Sequence, residues 1–323
     1  MATVILMVQL AACLAVLLVP LEPALHSAPV TISGPPVVTS ALADQANAHA
    51  DHPLDAGTAV TADDAREDVE QGRAVAAVAI DLRHDRTTVF VSSAQGEALG
   101  VAVTALVRAT AEPFASTVVV EDVAPLPAGS SGQSGLRLVV VSSVALGLGI
   151  AVALTWRRGP VADTWAEALG RMGAAGGIGA GGALAIATFA AHQAGGGVGG
   201  WWLVVWLTAV ATSAATLALE GLLGVAGIGL ATTVFVVTAA PLARVEHPLM
   251  LPAPWGPVTP WLPHGAGLDA ARQVAWFGGA GAARPIAVLV SWLVVSCVVL
   301  AVARRERRRA GVVWSGALRP IRP

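Results

Sequence analysis

The sequence predicts an α-helical integral membrane protein: six transmembrane helices, with a small extracytoplasmic α/β domain inserted between the first and second. Three observations carry this prediction. The composition is 55% hydrophobic and only 12% charged, with a mean hydropathy of +0.70, about half the charge of a soluble domain. Apolar runs of bilayer-crossing length recur along the chain. The arginines gather beside particular runs and not others.

A helix needs about 20 apolar residues to cross the hydrocarbon core. Such runs fall at 4–21, 136–156, 174–194, 201–222, 225–242 and 286–303. The first reads as a retained anchor: it lacks a basic n-region, and "ALHSAP" is a poor small-x-small cleavage site. Arg157, Arg158 and Arg171 follow the second run, and Arg304, Arg305, Arg307, Arg308 and Arg309 follow the sixth. Basic flanks stay cytoplasmic, so both termini are expected inside and residues 22–135 outside. Arg244, Arg272 and Arg284 make a smaller, scattered outer set. The chain has no lysine and no tyrosine, a bias read as that of a GC-rich bacterial genome, and hence a bacterial cytoplasmic membrane.

Residues 22–135 hold the only long charged stretch. "SALADQANAHA" reads as a helix, and "TADDAREDVEQGR" as another with Thr61 as N-cap and acidic residues in its first turn. "AVAAVAIDL" and "TTVFVSSA" read as strands. "EALGVAVTALVRATAEPF" reads as an amphipathic helix, "STVVVEDV" as a strand and "PLPAGSSGQSG" as a linker. His49, Asp51 and His52 match no strong metal signature and read as solvated loop residues.

Within the apolar runs, Gly173, Gly177 and Gly181 recur every fourth residue, a spacing that lets helices approach closely. Thr208, Thr212, Thr216 and Glu220 recur likewise. The hydroxyls can bond back to their own helix. Glu220 is either a functional intramembrane acid or a residue at the cytoplasmic headgroup level.

The outer loop, residues 244–285, is unusual. Pro252, Pro254, Pro257, Pro260 and Pro263 oppose a helix, and Trp255, Trp261 and Trp276 suit the headgroup zone. Residues 266–277 can form three helical turns, with Asp269 in the first turn, Arg272 three residues on, and Gly278 and Gly279 as terminators. Leu268, Ala271 and Ala275 share a face. The segment reads as an interfacial or re-entrant element on the outer mouth of the bundle: a packing loop, an exit gate or a partner surface.

Three stretches carry a family resemblance: "DDAREDVEQGRAVAAVAIDL", "TTVFVSSAQGEALGVAVTAL" and "PWGPVTPWLPHGAGLDAARQVAWFGG". With one span, an α/β insert and five clustered spans, the chain resembles ABC-2-type membrane permeases, and most nearly the YhgE/Pip (phage infection protein) and Sng1-like branch. The resemblance implies an integral membrane subunit of an exporter or surface system and supplies no substrate.

Exclusions narrow the function. A P-loop needs lysine, so the chain holds no Walker A site. No Gly-x-Ser-x-Gly elbow, His-Glu-x-x-His pair or Ser/His/Asp set is present, so no enzyme and no cofactor are expected. The near-neutral charge offers no field for nucleic acid. Two classes remain: a permease energised by a separate ABC ATPase, as a homodimer among membrane lipids, or a non-transporting surface or scaffold protein. For a permease, residues 157–173 read as a short inner amphipathic helix, started by Pro160, capped by Asp163 and ended by Gly173. Trp165, Leu169 and Met172 form its apolar face. That face suits either coupling to an ATPase or passive attachment to the membrane.

Overall fold

The computed structural model describes residues 25–49, 52–111, 117–127, 130–159 and 165–317. The run at 4–21 lies outside them. Among the described residues, four helices are long and apolar enough to cross a membrane: Gly132–Arg158, Ala166–Ala194, Val198–Leu223 and Ala283–Ala303. The six-span count is therefore met only in part.

Ahead of these helices lies a five-stranded sheet in the order β2-β1-β3-β4-β5. Its strands are β1 (Ala28–Ser33), β2 (Leu54–Ala59), β3 (Ala76–Asp81), β4 (Arg86–Val91) and β5 (Thr117–Asp122). All neighbours run parallel except β3 with β4. Helices α1 (Pro36–Asn47), α2 (Ala62–Glu70) and α3 (Glu97–Ala111) make the crossovers. The α1 and α2 crossovers move in opposite directions across the sheet, so right-handed connections put these helices on opposite faces. The reversed direction of β4 returns α3 to the face of α1. Packing agrees: Ala65 and Val69 of α2 meet Ala77 and Phe90 on one face, whereas Leu99 and Val103 of α3 join Val30 and Val78 on the other. Full burial of Leu99 and Val103 contributes roughly 1.5–3 kcal/mol each.

The expected helices and strands of this region appear, and α2 starts as its sequence dictates. The Thr61 hydroxyl accepts from the Asp64 N–H at 3.0 Å, and the Asp64 carboxylate accepts from the Thr61 N–H at 3.1 Å. This is a capping box with Asp in the Glu position. Strands β1 and β2 were not expected. In β2, Ala56, Gly57 and Ala59 are poor strand formers. Pairing with β1 along its whole length holds it, as does Asn47, whose side-chain amide exchanges hydrogen bonds of 2.8 and 3.0 Å with the Ala56 backbone. The expected linker is shorter than its composition suggested, because residues from Gly132 on are already helical.

The remaining helices are α4 (Gly132–Arg158), α5 (Trp165–Ala194), α6 (Val198–Leu223), α7 (Val225–Ala239), α8 (Pro263–Trp276) and α9 (Ala283–Ala317). Helix α6 is the hub: 78% of its most apolar stretch is buried, against 22–44% for the other three spans. The fifth expected span, 225–242, is corrected to the 15-residue α7. It is about 22 Å long at 1.5 Å per residue, short of a ~30 Å core, because Pro241 opens a 3-10 turn after it. It folds back tightly on α6, since a Cβ on Gly227 would overlap the Leu219 carbonyl.

Helix α5 corrects two expectations. Nothing lies within 4 Å of a Cβ built on Gly173, Gly177 or Gly181; Gly179 and Gly182 face Val210 and Leu146 instead. Small residues also let side chains reach the α5 backbone. The Trp202 and Trp206 rings stack at 5.4 Å, and their indole N–H groups donate to the carbonyls of Ala180 and Gly176 at 3.0 and 2.9 Å. Helix α5 also begins at Trp165 and runs unbroken through Gly173, so no separate short helix ends there. Pro160 and Asp163 lie outside the described residues.

The α/β region sits on one end of the bundle. The His26 N–H donates to the Leu249 carbonyl at 3.0 Å. Gln133 of α4 donates to the Ala94 carbonyl at 2.7 Å. The Glu246 carboxylate accepts the Ala98 N–H at 3.0 Å, placing an anion at the positive end of α3. His247, beside it, is buried and accepts the Leu249 N–H on Nδ1. Burial, then repulsion from Arg272, holds its pKa well below the ordinary histidine value.

Candidate functional site

The expected interfacial helix is instead a buried one. Pro263 occupies its first turn, where its missing N–H costs nothing. It ends at Trp276, with the Gly279 N–H donating to the Gln273 carbonyl at 2.8 Å and Gly278 and Gly279 at positive φ. Pro263 to Leu268 and Ala270 to Arg272 are all buried, so in that stretch only Asp269 reaches solvent. Its N-terminal half lies deep: Ala266 packs with Leu207, Ala211 and Leu289, and a Cβ on Gly267 would sit 2.7 Å from the Thr208 Oγ1. Its C-terminal half returns to the sheet side, where Val274 lies against Gly196 and Gly200. Before it, the chain descends along the bundle, and the Trp261 carbonyl accepts from the Trp292 indole at 2.7 Å. The element packs among the bundle helices.

The expected residues occupy unequal places. Trp261 is 60% exposed, under the Arg284 guanidinium at 6.0 Å; Trp255 and Trp276 are half-buried. Asp269 is the seventh residue of α8, not in its first turn, because the helix starts three residues earlier than expected. Leu268 and Ala271 are buried, but so is Arg272, at 2% exposure. Arg272 Nη1 donates to the Asp269 carboxylate at 3.0 Å, and Nη2 to the Gln133 side-chain carbonyl at 3.3 Å. Gln133 in turn reaches Ala94. Three elements are thus joined through one buried guanidinium: α8, α4 and the loop ahead of α3. Sequence reasoning missed His264, which is 3% exposed with both ring nitrogens buried and without a hydrogen-bond partner of ordinary geometry.

The polar stripe on α6 is buried along its length. Thr208, Thr212 and Thr216 donate to the carbonyls of Val204, Thr208 and Thr212, each at 2.8 Å, which satisfies their protons within the helix. Glu220 lies 19 residues beyond Trp201, roughly 28 Å along the axis, and so at the far end of the bundle. One carboxylate oxygen accepts from Thr155 of α4 at 2.7 Å, and the other is buried without a partner. Arg171 is buried as well, at 4% exposure. It donates to Glu167 at 2.7 Å and to the carbonyls of Arg158 and Gly159 at 3.0 and 2.9 Å. It therefore caps the end of α4. Of the coupling residues, Leu169 is 64% exposed, whereas Met172 packs against Ile150, Leu154 and Leu217 and is turned into the bundle. Residues that could group on a metal are absent among the described residues.

The site thus consists of a half-length helix carrying Arg272, Asp269 and His264, inserted among the spans from the sheet side, with Glu220 and Arg171 at the opposite end. Compared with protein-family models, curated proteins and solved structures, the chain matches none.

Proposed function

We propose that the chain is the permease subunit of an ABC-2-like exporter, energised by a separate ATPase. In this reading the α/β region faces outward and the chain termini lie in the cytoplasm. The observation that carries the reading is α8. A buried helix only 14 residues long, entering from one side and bearing an ion pair, is a movable stopper in a way a full span is not. Polar groups buried among apolar spans are costly and mark pathways. The absence of lysine makes any ATP-driven motion depend on a partner. That partner meets the bundle at the end holding Glu220, Arg171 and the exposed Leu169.

Two measurements test this. Purified from native membranes in mild detergent, the protein is expected to bring an ATPase with it, identified by mass spectrometry. Leu169→Asp should abolish that recovery without altering membrane insertion. If no ATPase accompanies the unaltered protein, the scaffold reading replaces the permease. For topology, single cysteines at Asp85 and Gly316, in a background lacking Cys13 and Cys297, should label oppositely with an impermeant maleimide in intact cells. Equal labelling overturns the orientation.

A further inference from the structure

The α/β region contains a cavity of about 570 Å3, within the ~300–1,000 Å3 range of small-molecule sites. Its origin is topological. Helices α1 and α3 share one face of the sheet, α1 over β1 and β2 and α3 over β4 and β5, and a trough over β1 and β3 is left between them. Val30, Ile32, Val78 and Ile80 form its floor, and Leu42 and Leu106 face each other across it. Its two ends differ in their lining. Asp81 and Asp85 stand at one, Gln45 and His49 at the other.

The Gln45–His49 end faces the bundle. The His49 carbonyl accepts from His52, whose own carbonyl accepts from Ser27, and the adjacent His26 N–H is bonded to Leu249. The floor also continues into the membrane part of the chain. Val30 and Val78 belong to the same apolar cluster as Trp201, Leu251 and Leu268. A water-filled trough of this apolarity is unfavourable, and the nearest abundant apolar material is bilayer lipid.

We propose that this cavity binds one acyl chain of a membrane phospholipid. The chain lies along β1 and β3, and the headgroup stays at the Gln45–His49 end. The bundle meets the Gln45–His49 end, which fixes the direction of entry. This site is separate from α8 and stands whether or not the chain transports.

The test uses the full-length protein reconstituted in phosphatidylcholine vesicles containing a phosphatidylcholine with a diazirine in its acyl chain. Irradiation, digestion and mass spectrometry are expected to place the label on the peptides bearing Leu42, Ile80 or Leu106. A diazirine fatty acid added from water forms the second arm; labelling by that probe alone would assign the site to a soluble fatty acid and overturn the phospholipid source. Ala46→Trp fills the trough and Leu106→Glu places a charge in it. Each should abolish labelling of these peptides, whereas Val37→Trp, on the exposed side of α1, should leave it unchanged. Thermal unfolding of the variants separates a blocked cavity from a misfolded domain. Absence of label in the cavity, or label that persists in both well-folded blocking variants, overturns the proposal.

Discussion

Replacing Arg272 with Met is expected to destabilise the detergent-solubilised protein by about 3–5 kcal/mol, the cost of breaking a buried charge pair from one side. The guanidinium is 3% exposed as a side chain, whereas its partner Asp269, at 32%, keeps some contact with water, so the loss should lie at the lower end of that range. Its second bond, to Gln133, ties α8 to α4, and through Gln133 to the α/β region. The expected signature is early melting with loosened contact between the region and the bundle, read as increased protease cleavage near residue 95. Arg272→Met combined with Asp269→Leu should recover most of the loss, because replacing both members of a buried pair with apolar groups is often close to neutral. If the single variant melts like the unaltered protein, the pair does not hold α8 in place.

The second large effect separates two neighbouring glycines of α8. Gly265→Ala is expected to lower the melting temperature more than Gly267→Ala. A methyl group at Gly265 would overlap the backbone carbonyl of Thr259, whereas at Gly267 its nearest neighbour is the Thr208 side chain. A side chain can turn aside; a carbonyl held within a turn moves only with its backbone. Overpacking typically costs 1–3 kcal/mol, and Gly265→Ala should lie at the upper end, about 3 kcal/mol, with Gly267→Ala near 1 kcal/mol. Paired thermal melts of the two variants decide the order. Equal losses would mean that α8 yields as a whole rather than at its point of closest approach.

Legibility in the sequence followed the range of the interaction responsible. Helix α2 could be read because its start depends on Thr61 and Asp64, three residues apart. The Thr208, Thr212 and Thr216 stripe could be read because each hydroxyl bonds within its own helix. Strand β2 could not, since Leu54 to Ala59 are held by β1 and Asn47 rather than by their own preferences. Helix α8 was visible as a helix with its glycine stop. Its burial was not, because Asp269 and Arg272 look like surface charges until Gln133, more than a hundred residues earlier, is brought beside them. Pro263, read as opposing a helix, in fact opens one, since proline suits a first helical turn. Arg171 read only as a flanking charge because its acceptors, the carbonyls of Arg158 and Gly159, are backbone atoms that no residue pattern displays.

The stacked Trp202 and Trp206 grip α5 by its peptide carbonyls rather than by any side chain. Tolerance is therefore divided unevenly between the two helices. Each indole must keep its place, one turn from the other, because no other residue type supplies the same reach and a single N–H donor. At the two α5 positions gripped, identity matters less than bulk: a residue small enough to leave the Gly176 and Ala180 carbonyls open keeps both bonds.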